Sequence, residues 1–179
     1  ALVTMAVVPN TEPQKYGGVL VSASGEVTGF TRRGAPGPSY HFIGLQVADR
    51  EAFTTLADGV PHESVGALYP ALMHARPGSI RAHVSDAAFL DIGTPADYFD
   101  TCLRLARREG RPLVDDCVLW DDVVIDKGAR VRQCILADGV RVPARADWTG
   151  LVVRRADGGL EPFERHEHGL AISALSPEP

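Results

Sequence analysis

The chain has 179 residues, 45% hydrophobic and 23% charged, a balance that suits a globular fold with a substantial core. Lys and Arg sum to 18 against 23 for Asp and Glu, so the formal charge is -5, no basic block stands out, and nucleic acid is not an expected partner. No apolar run approaches bilayer-spanning length, and Ala1-Leu2-Val3-Thr4-Met5 lacks the basic region and cleavage site of a signal peptide, so the expectation is a cytoplasmic chain without a membrane partner.

Val3 to Val8 is rich in β-branched and apolar residues and stops at Pro9-Asn10, which predicts a buried strand and then a loop. A buried strand so close to Ala1 suggests a chain that continues something upstream. Val19–Val21 and Val27–Phe30, joined through Ser24-Gly25, predict a β-hairpin, and 32–39, with two glycines and two prolines, predicts a loop. Tyr40 to Val47 returns as an apolar strand containing Gly44. Helices are expected over Arg50–Leu56 and from Ser64, the second with Val65, Leu68, Leu72 and Met73 on one face and Pro70 kinking or restarting it.

A strand over Ile80–Val84 leads through Asp86 to a second extended segment, Ala88–Ile92. Thr94-Pro95-Ala96-Asp97 then has the chemistry of a helix start, with Thr94 as N-cap, Pro95 at the first position and Asp97 able to reach back. Tyr98, Cys102, Leu105 and Ala106 form the expected buried stripe, and Gly110 the stop.

From Cys117 the period changes. Cys117-Val118-Leu119-Trp120-Asp121-Asp122-Val123 aligns with Cys134-Ile135-Leu136-Ala137-Asp138-Gly139-Val140 at an offset of seventeen, one short of three six-residue rungs. Within it, apolar residues recur about every sixth position, as in parallel β-helix coils, where each side of a triangular turn sends one aliphatic residue inward. Leu151-Val152-Val153 would begin the next coil, and coils this few must lean on a neighbouring domain or a partner subunit. Residues 156–179 read as a polar tail frayed at its end.

Cys102, Cys117 and Cys134 read as reduced packing residues, since an odd count and the absence of metal-knuckle spacing argue against disulfides and zinc. His166-Glu167-His168 lies in the polar tail without further ligands, and His41, His62, His74 and His83 suggest no triad.

The succession Val8-Pro9-Asn10, Lys15-Tyr16-Gly17-Gly18-Val19, Gly25-Glu26-Val27-Thr28-Gly29-Phe30 and Phe89-Leu90-Asp91-Ile92-Gly93-Thr94-Pro95-Ala96-Asp97-Tyr98, followed by hexapeptide-like coils, resembles the sugar-1-phosphate nucleotidyltransferases, among them the mannose-1-phosphate guanylyltransferases and glucose-1-phosphate thymidylyltransferases. The resemblance runs to about Val153, and Asp-Ile-Gly-Thr-Pro is its most specific segment. It implies an α/β fold: the C-terminal half of a Rossmann-like nucleotidyltransferase domain over 1–112, a short left-handed parallel β-helix over 113–155, then the tail. It also implies a reaction in which a sugar-1-phosphate oxygen attacks the α-phosphate of a nucleoside triphosphate and pyrophosphate leaves, GDP-mannose being one candidate product.

By the same resemblance Asp91, expected at a strand end, matches a carboxylate that helps hold Mg²⁺, Gly17 matches a glycine whose backbone approaches the sugar, and Tyr16 packs beside it. Two departures bear on the sugar. Thr31-Arg32-Arg33-Gly34 stands where the family has Glu-Lys-Pro, so Arg33 is the candidate phosphate ligand while Arg32 cannot take the glutamate's part. Phe42-Ile43-Gly44 stands where Asn-Ala-Gly is usual, which puts Phe42 at the sugar position without the polar contact. The glycine-rich, arginine-bearing nucleotide loop and a first metal-binding aspartate have no counterpart, so this chain alone is expected to be inactive. The remaining expectations are sugar 1-phosphate and nucleoside triphosphate as partners of the complete enzyme, and a homo-oligomer through the β-helix. The rival reading is a non-catalytic regulatory or assembly module; an acyltransferase reading is weak because the coils are few and lack a catalytic histidine.

Overall fold

The computed structural model describes residues 1–176, and the chain divides into two compact units, one over 1–89 and one from Leu90 onward. The fold is mixed α/β, with several sheets and few helices.

In the first unit, β1 (Val3–Pro9), β2 (Gly18–Val21), β3 (Val27–Thr31), β4 (Tyr40–Ala48) and β5 (Ile80–Val84) form one sheet in the order β3-β2-β4-β1-β5. Only β1 and β5 run parallel; the remaining pairs are antiparallel. Between Met5↔Gln46 and Val7↔Phe42 the chain advances two residues on β1 and four on β4, so β4 bulges. Gly44 takes up the excess at φ 83°, a conformation that costs other residues energy. Val3, Met5, Val7 and Ile80 send buried side chains toward Ala52, Leu68 and Tyr69. Tyr69 is wholly buried, and its hydroxyl donates to Gln46 Oε1 at 2.6 Å, which removes the cost of burying it.

Arg50–Leu56, expected as a helix, is only a single 3-10 turn over Arg50–Phe53, capped by Asp49 accepting from Glu51 N. Pro70 restarts the next helix. Ser64–Leu68 makes wide turns, Leu68 N to Glu63 O and Tyr69 N to Ser64 O, and α1 (Tyr69–Ala75) follows with the proline in its first turn, where a missing N–H costs nothing.

The second unit contains α2 (Pro95–Glu109), β6 (Val118–Leu119), β7 (Val124–Ile125), β8 (Arg130–Arg132), β9 (Ile135–Leu136), β10 (Arg141–Val142), β11 (Asp147–Thr149), β12 (Leu151–Arg155), β13 (Arg165–Glu167) and β14 (Leu170–Ala174). The helix has the expected ends: Thr94 Oγ1 accepts from Asp97 N, and Gly110 stops it at φ 67°. Its buried face is only in part the expected one, with Tyr98 of the expected stripe packing on it and Cys102 and Ala106 half-buried. Phe99 and Leu103 pack on Ile135 and Leu175, while Leu105 is exposed.

After α2, β6, β7, β8 and β9 each pair in parallel with a strand seventeen residues on: Val118↔Ile135↔Val152, Val124↔Arg141 and Arg130↔Asp147. The sequence alignment at that offset is thus reproduced in the hydrogen bonds. Three strands are traversed before the chain returns to the first ladder, and the turns repeat with it. Asp122 and Gly139 both take a left-handed φ, as do Gln133 and Gly150, so the glycines mark corners that Asp and Gln also occupy. Cys134, Leu136, Val140, Val142 and Val153 fill the interior with no exposure.

Two expectations about organisation are corrected. The units divide at Phe89/Leu90, not at 112/113, because α2 packs on β9 and Leu175. Within the segment expected as a polar tail over 156–179, residues 156–176 are folded: β14 pairs antiparallel with β12, Leu151↔Ala174 through Arg155↔Leu170, and buries Leu170, Ala171 and Ile172. The expected fraying concerns 177–179, which lie outside the described residues.

Arg154 secures this segment. It donates to both oxygens of Glu164, at 2.9 and 2.5 Å, and the Glu164 side chain is only 7% exposed. The Arg154 hydrogen bonds hold the Glu164 carboxyl below its ordinary pKa. A carboxyl lowered on folding stabilises above its unfolded pKa, about 4.3 for Glu, and that stabilisation disappears as pH falls through the folded value. Thermal melts should therefore show Glu164→Gln less stable than wild type near neutral pH, with the gap closing below about pH 4.

Candidate functional site

In the first unit the candidate residues lie at the end of the sheet where β1 finishes and β2 and β4 begin. Asn10 ties this end together: its backbone N–H donates to Ser39 O at 3.0 Å, and its side-chain amide donates to Tyr16 O and Ser39 Oγ at 3.4 and 3.3 Å. Lys15 N and Tyr16 N both donate to Glu12 O, so the approach to Gly17 is a tight turn.

Tyr16 packs in a group of three rings. Its ring lies 4.0 Å from His41 between centroids and 6.1 Å from Phe89, and His41 lies 4.9 Å from Phe89. The Lys15 ammonium sits 5.0 Å from the Tyr16 centroid, within cation–π range. All three rings are half-buried.

Gly17 is required by packing, whatever else it does. A Cβ there would lie 2.9 Å from the Thr31 carbonyl oxygen, a backbone atom that cannot swing aside. Arg33 is exposed and makes no ion pair or hydrogen bond among the described residues. Phe42 packs with the core of this unit. Neighbouring strand residues point to opposite faces, so His41 joins the ring group and Phe42 does not.

Asp91 belongs to the second unit. The strand expected over Ala88–Ile92 is absent, so Asp91 does not stand at a strand end; it lies in irregular backbone three residues before the α2 N-cap. Its groups are satisfied locally instead of by a ladder. Oδ1 accepts from Ile92 N at 2.8 Å and Gly93 N at 3.0 Å, and the Asp91 carbonyl accepts from Thr101 Oγ1 at 2.7 Å. Thr101 is one of the few buried polar residues, so the hydrogen bond that satisfies it also fixes the Asp91 backbone.

No protein-family model and no curated protein matches this chain. Solved structures of HddC from Yersinia pseudotuberculosis do, one without mention of a ligand and one complexed with GMP-PN. Each is 20% identical, with a TM-score of 0.45, over 58% of this chain and 44% of that one. The chain therefore spans less than half the length of these neighbours.

No group of three or more His, Cys, Asp or Glu side chains among the described residues could hold a metal ion. Magnesium takes one or two carboxylates together with substrate phosphates, so Asp91 by itself is not a metal site. Cys117 and Cys134 are both buried, and the hydrogen bond between them, with burial, pushes the Cys117 thiol above its ordinary pKa. His166 and Glu167 lie on β13 and His168 in the turn after it, with Glu167 paired to Arg165.

Sequence reasoning missed Asn10, His41 and Phe89. Asn10 had a signal, an Asn after Pro9 at a strand end, where its side chain bonds readily to nearby backbone. Gly17→Ala should lower unfolding free energy by about 1–3 kcal/mol, the usual range for overpacking, as read from urea denaturation. An unchanged midpoint would show that Thr31 can move and that packing does not demand the glycine.

Proposed function

We propose that this chain is the sugar-1-phosphate-binding part of a nucleotidyltransferase that makes a nucleoside diphosphate sugar and pyrophosphate, with GDP-mannose as the leading candidate product. The observation that carries the reading is Asp91. In the Asp-Ile-Gly-Thr-Pro segment that defines the resemblance, a carboxylate is held by two backbone N–H groups, and a buried threonine holds the backbone carbonyl of the same residue just ahead of a helix. Such immobilisation suits a group that must meet charge at a fixed point, because the ordering is complete before substrate arrives.

In this reading the chain belongs to a Rossmann-like transferase domain, and the three parallel ladders form the left-handed parallel β-helix that follows it. The reaction forms a bond from the sugar-phosphate oxygen to the α-phosphorus and breaks the bond to the β-phosphate, which leaves as pyrophosphate. Magnesium, when bound, would neutralise the phosphate charge, and Asp91 would supply one of its oxygen ligands. Gly17 brings backbone close to the sugar, Tyr16 and His41 offer ring faces to it, and Arg33 supplies a guanidinium suited to bidentate phosphate contact. Phe42 acts through the packing of β4. The nucleotide loop belongs to another part of the enzyme, so this chain alone does not turn over.

A second reading, a regulatory or assembly module, is favoured by Arg32, whose charge and donors are opposite to those of the carboxylate the resemblance leads one to expect. One assay separates the two. With the nucleotide-binding half supplied upstream or in trans, pyrophosphate release should require Mg²⁺ and a sugar 1-phosphate, and Asp91→Asn should lower kcat/KM by at least about 100-fold. Full activity in Asp91→Asn would remove Asp91 from the site, and no turnover with any sugar 1-phosphate of a broad panel would leave the module reading ahead.

A further inference from the structure

Cys117 and Cys134 face each other across neighbouring rungs of the stacked ladders. Each lies one residue ahead of a strand, and those two strands pair in register, Val118↔Ile135. Val118 N donates to Cys134 O at 2.9 Å and Gln133 N to Asp115 O at 3.1 Å, so the pairing continues past the cysteines. The corner ahead of each is alike: Asp116 and Gln133 take left-handed φ values of 52° and 50°. Each thiol also donates to the carbonyl two residues back, Cys117 to Asp115 at 3.7 Å and Cys134 to Arg132 at 3.1 Å. The two side chains therefore enter the interior at equivalent places, where they are 4% and 0% exposed and hydrogen-bond each other. Adjacent strands stand about 4.8 Å apart, inside the Cα separation of about 4.4–6.8 Å that a disulfide spans.

We propose that this pair is a reversible redox site, at which an intramolecular disulfide between Cys117 and Cys134 clamps the first rung of the stack to the second. Both are free thiols here, the reduced state of the site. To oxidise, the sulfurs must close from hydrogen-bond contact to about 2.05 Å. Cys117 can supply that movement: it belongs to the outermost rung, and no strand among the described residues pairs with the outer edge of β6. A route for the oxidant is also present, because a cavity of about 500 Å³ lined by Leu105, Pro112, Val114 and Leu119 has Cys117 in its wall. The oxidant is a small disulfide, R–S–S–R, of the glutathione class. The Cys117 thiolate attacks one of its sulfurs and expels one thiolate; the Cys134 thiolate then attacks the Cys117 sulfur of the mixed disulfide and expels the second. Two electrons pass to the oxidant, which leaves as two thiols carrying the two protons. Ile135, next to Cys134, belongs to the surface on which Phe99 and Leu103 of α2 pack, so the clamp also stiffens the seat of the helix. Cys102, half-buried on α2, lines the same cavity and is the rival partner for Cys117. The inference goes beyond the proposed function and does not depend on Asp91 or on any substrate.

The test equilibrates the full chain in glutathione buffers of rising oxidised fraction, traps free thiols with N-ethylmaleimide and maps the peptides by mass spectrometry. A Cys117–Cys134 bond should form in the folded chain, leave Cys102 open to the trap, and disappear on addition of dithiothreitol. Circular dichroism melts should place the oxidised chain about 6–12 °C above the reduced one, the stabilisation expected from cross-linking a loop of this length. Cys134→Ala should abolish both the bond and the shift, while Cys102→Ser should keep both. If Cys134→Ala misfolds, the wild-type peptide map decides the matter. No bond in the most oxidising buffer, a bond joining Cys102 to either of the others, or a Cys117–Cys134 bond that lowers the melting temperature would overturn the proposal.

Discussion

Leu136 is sealed from water because Leu119 and Val153 flank it in adjacent rungs of one ladder. That seventeen-residue register organises the second unit. It places Ile135 on the outside of the stack, beside Leu175 from the segment after β14, and together they form the surface on which Phe99 and Leu103 of α2 pack. The helix in turn carries Thr101, whose hydroxyl holds the Asp91 backbone. Packing of the ladders therefore reaches the Asp91 backbone in two steps, and a register slip would move the interior columns and the seat of α2 together.

The first unit works by a different constraint. Its sheet brings three chain segments, the ends of β1, β2 and β4, to one end, and Asn10 ties them together with hydrogen bonds to Ser39 and Tyr16. The ring group of Tyr16, His41 and Phe89 draws on segments far apart in sequence. Under the proposed function these rings are fixed before a ligand arrives, which lowers the ordering cost of binding.

Much of this was legible where the chemistry is local. Thr94, Pro95, Asp97 and Gly110 set the ends of α2 through capping, which needs no tertiary partner. The seventeen-residue repeat was equally visible, since equal spacing of like residues is a property of sequence alone. What failed was tertiary. The buried face of α2 was in part misjudged because Leu175, its partner, lay in a segment read as a tail, although Leu170-Ala171-Ile172 carried an apolar signal. Ala88–Ile92 had strand-like composition, yet Asp91 and Thr101 satisfy its backbone locally. At the site, Phe42 was named because Phe42-Ile43-Gly44 stands where the resemblance has Asn-Ala-Gly; that His41 and not Phe42 joins the ring group depends on register, which a single sequence does not fix.

The N–H groups of Ile92 and Gly93 donate to the Asp91 carboxylate, so their amide resonances report directly on what that carboxylate does. Titration of the chain with mannose 1-phosphate and Mg²⁺, followed by amide NMR, is the most direct measurement. The account predicts saturable shifts at Ile92 and Gly93 that need both ligands and vanish in Asp91→Asn. Shifts confined to other residues, or identical in that variant, would contradict it.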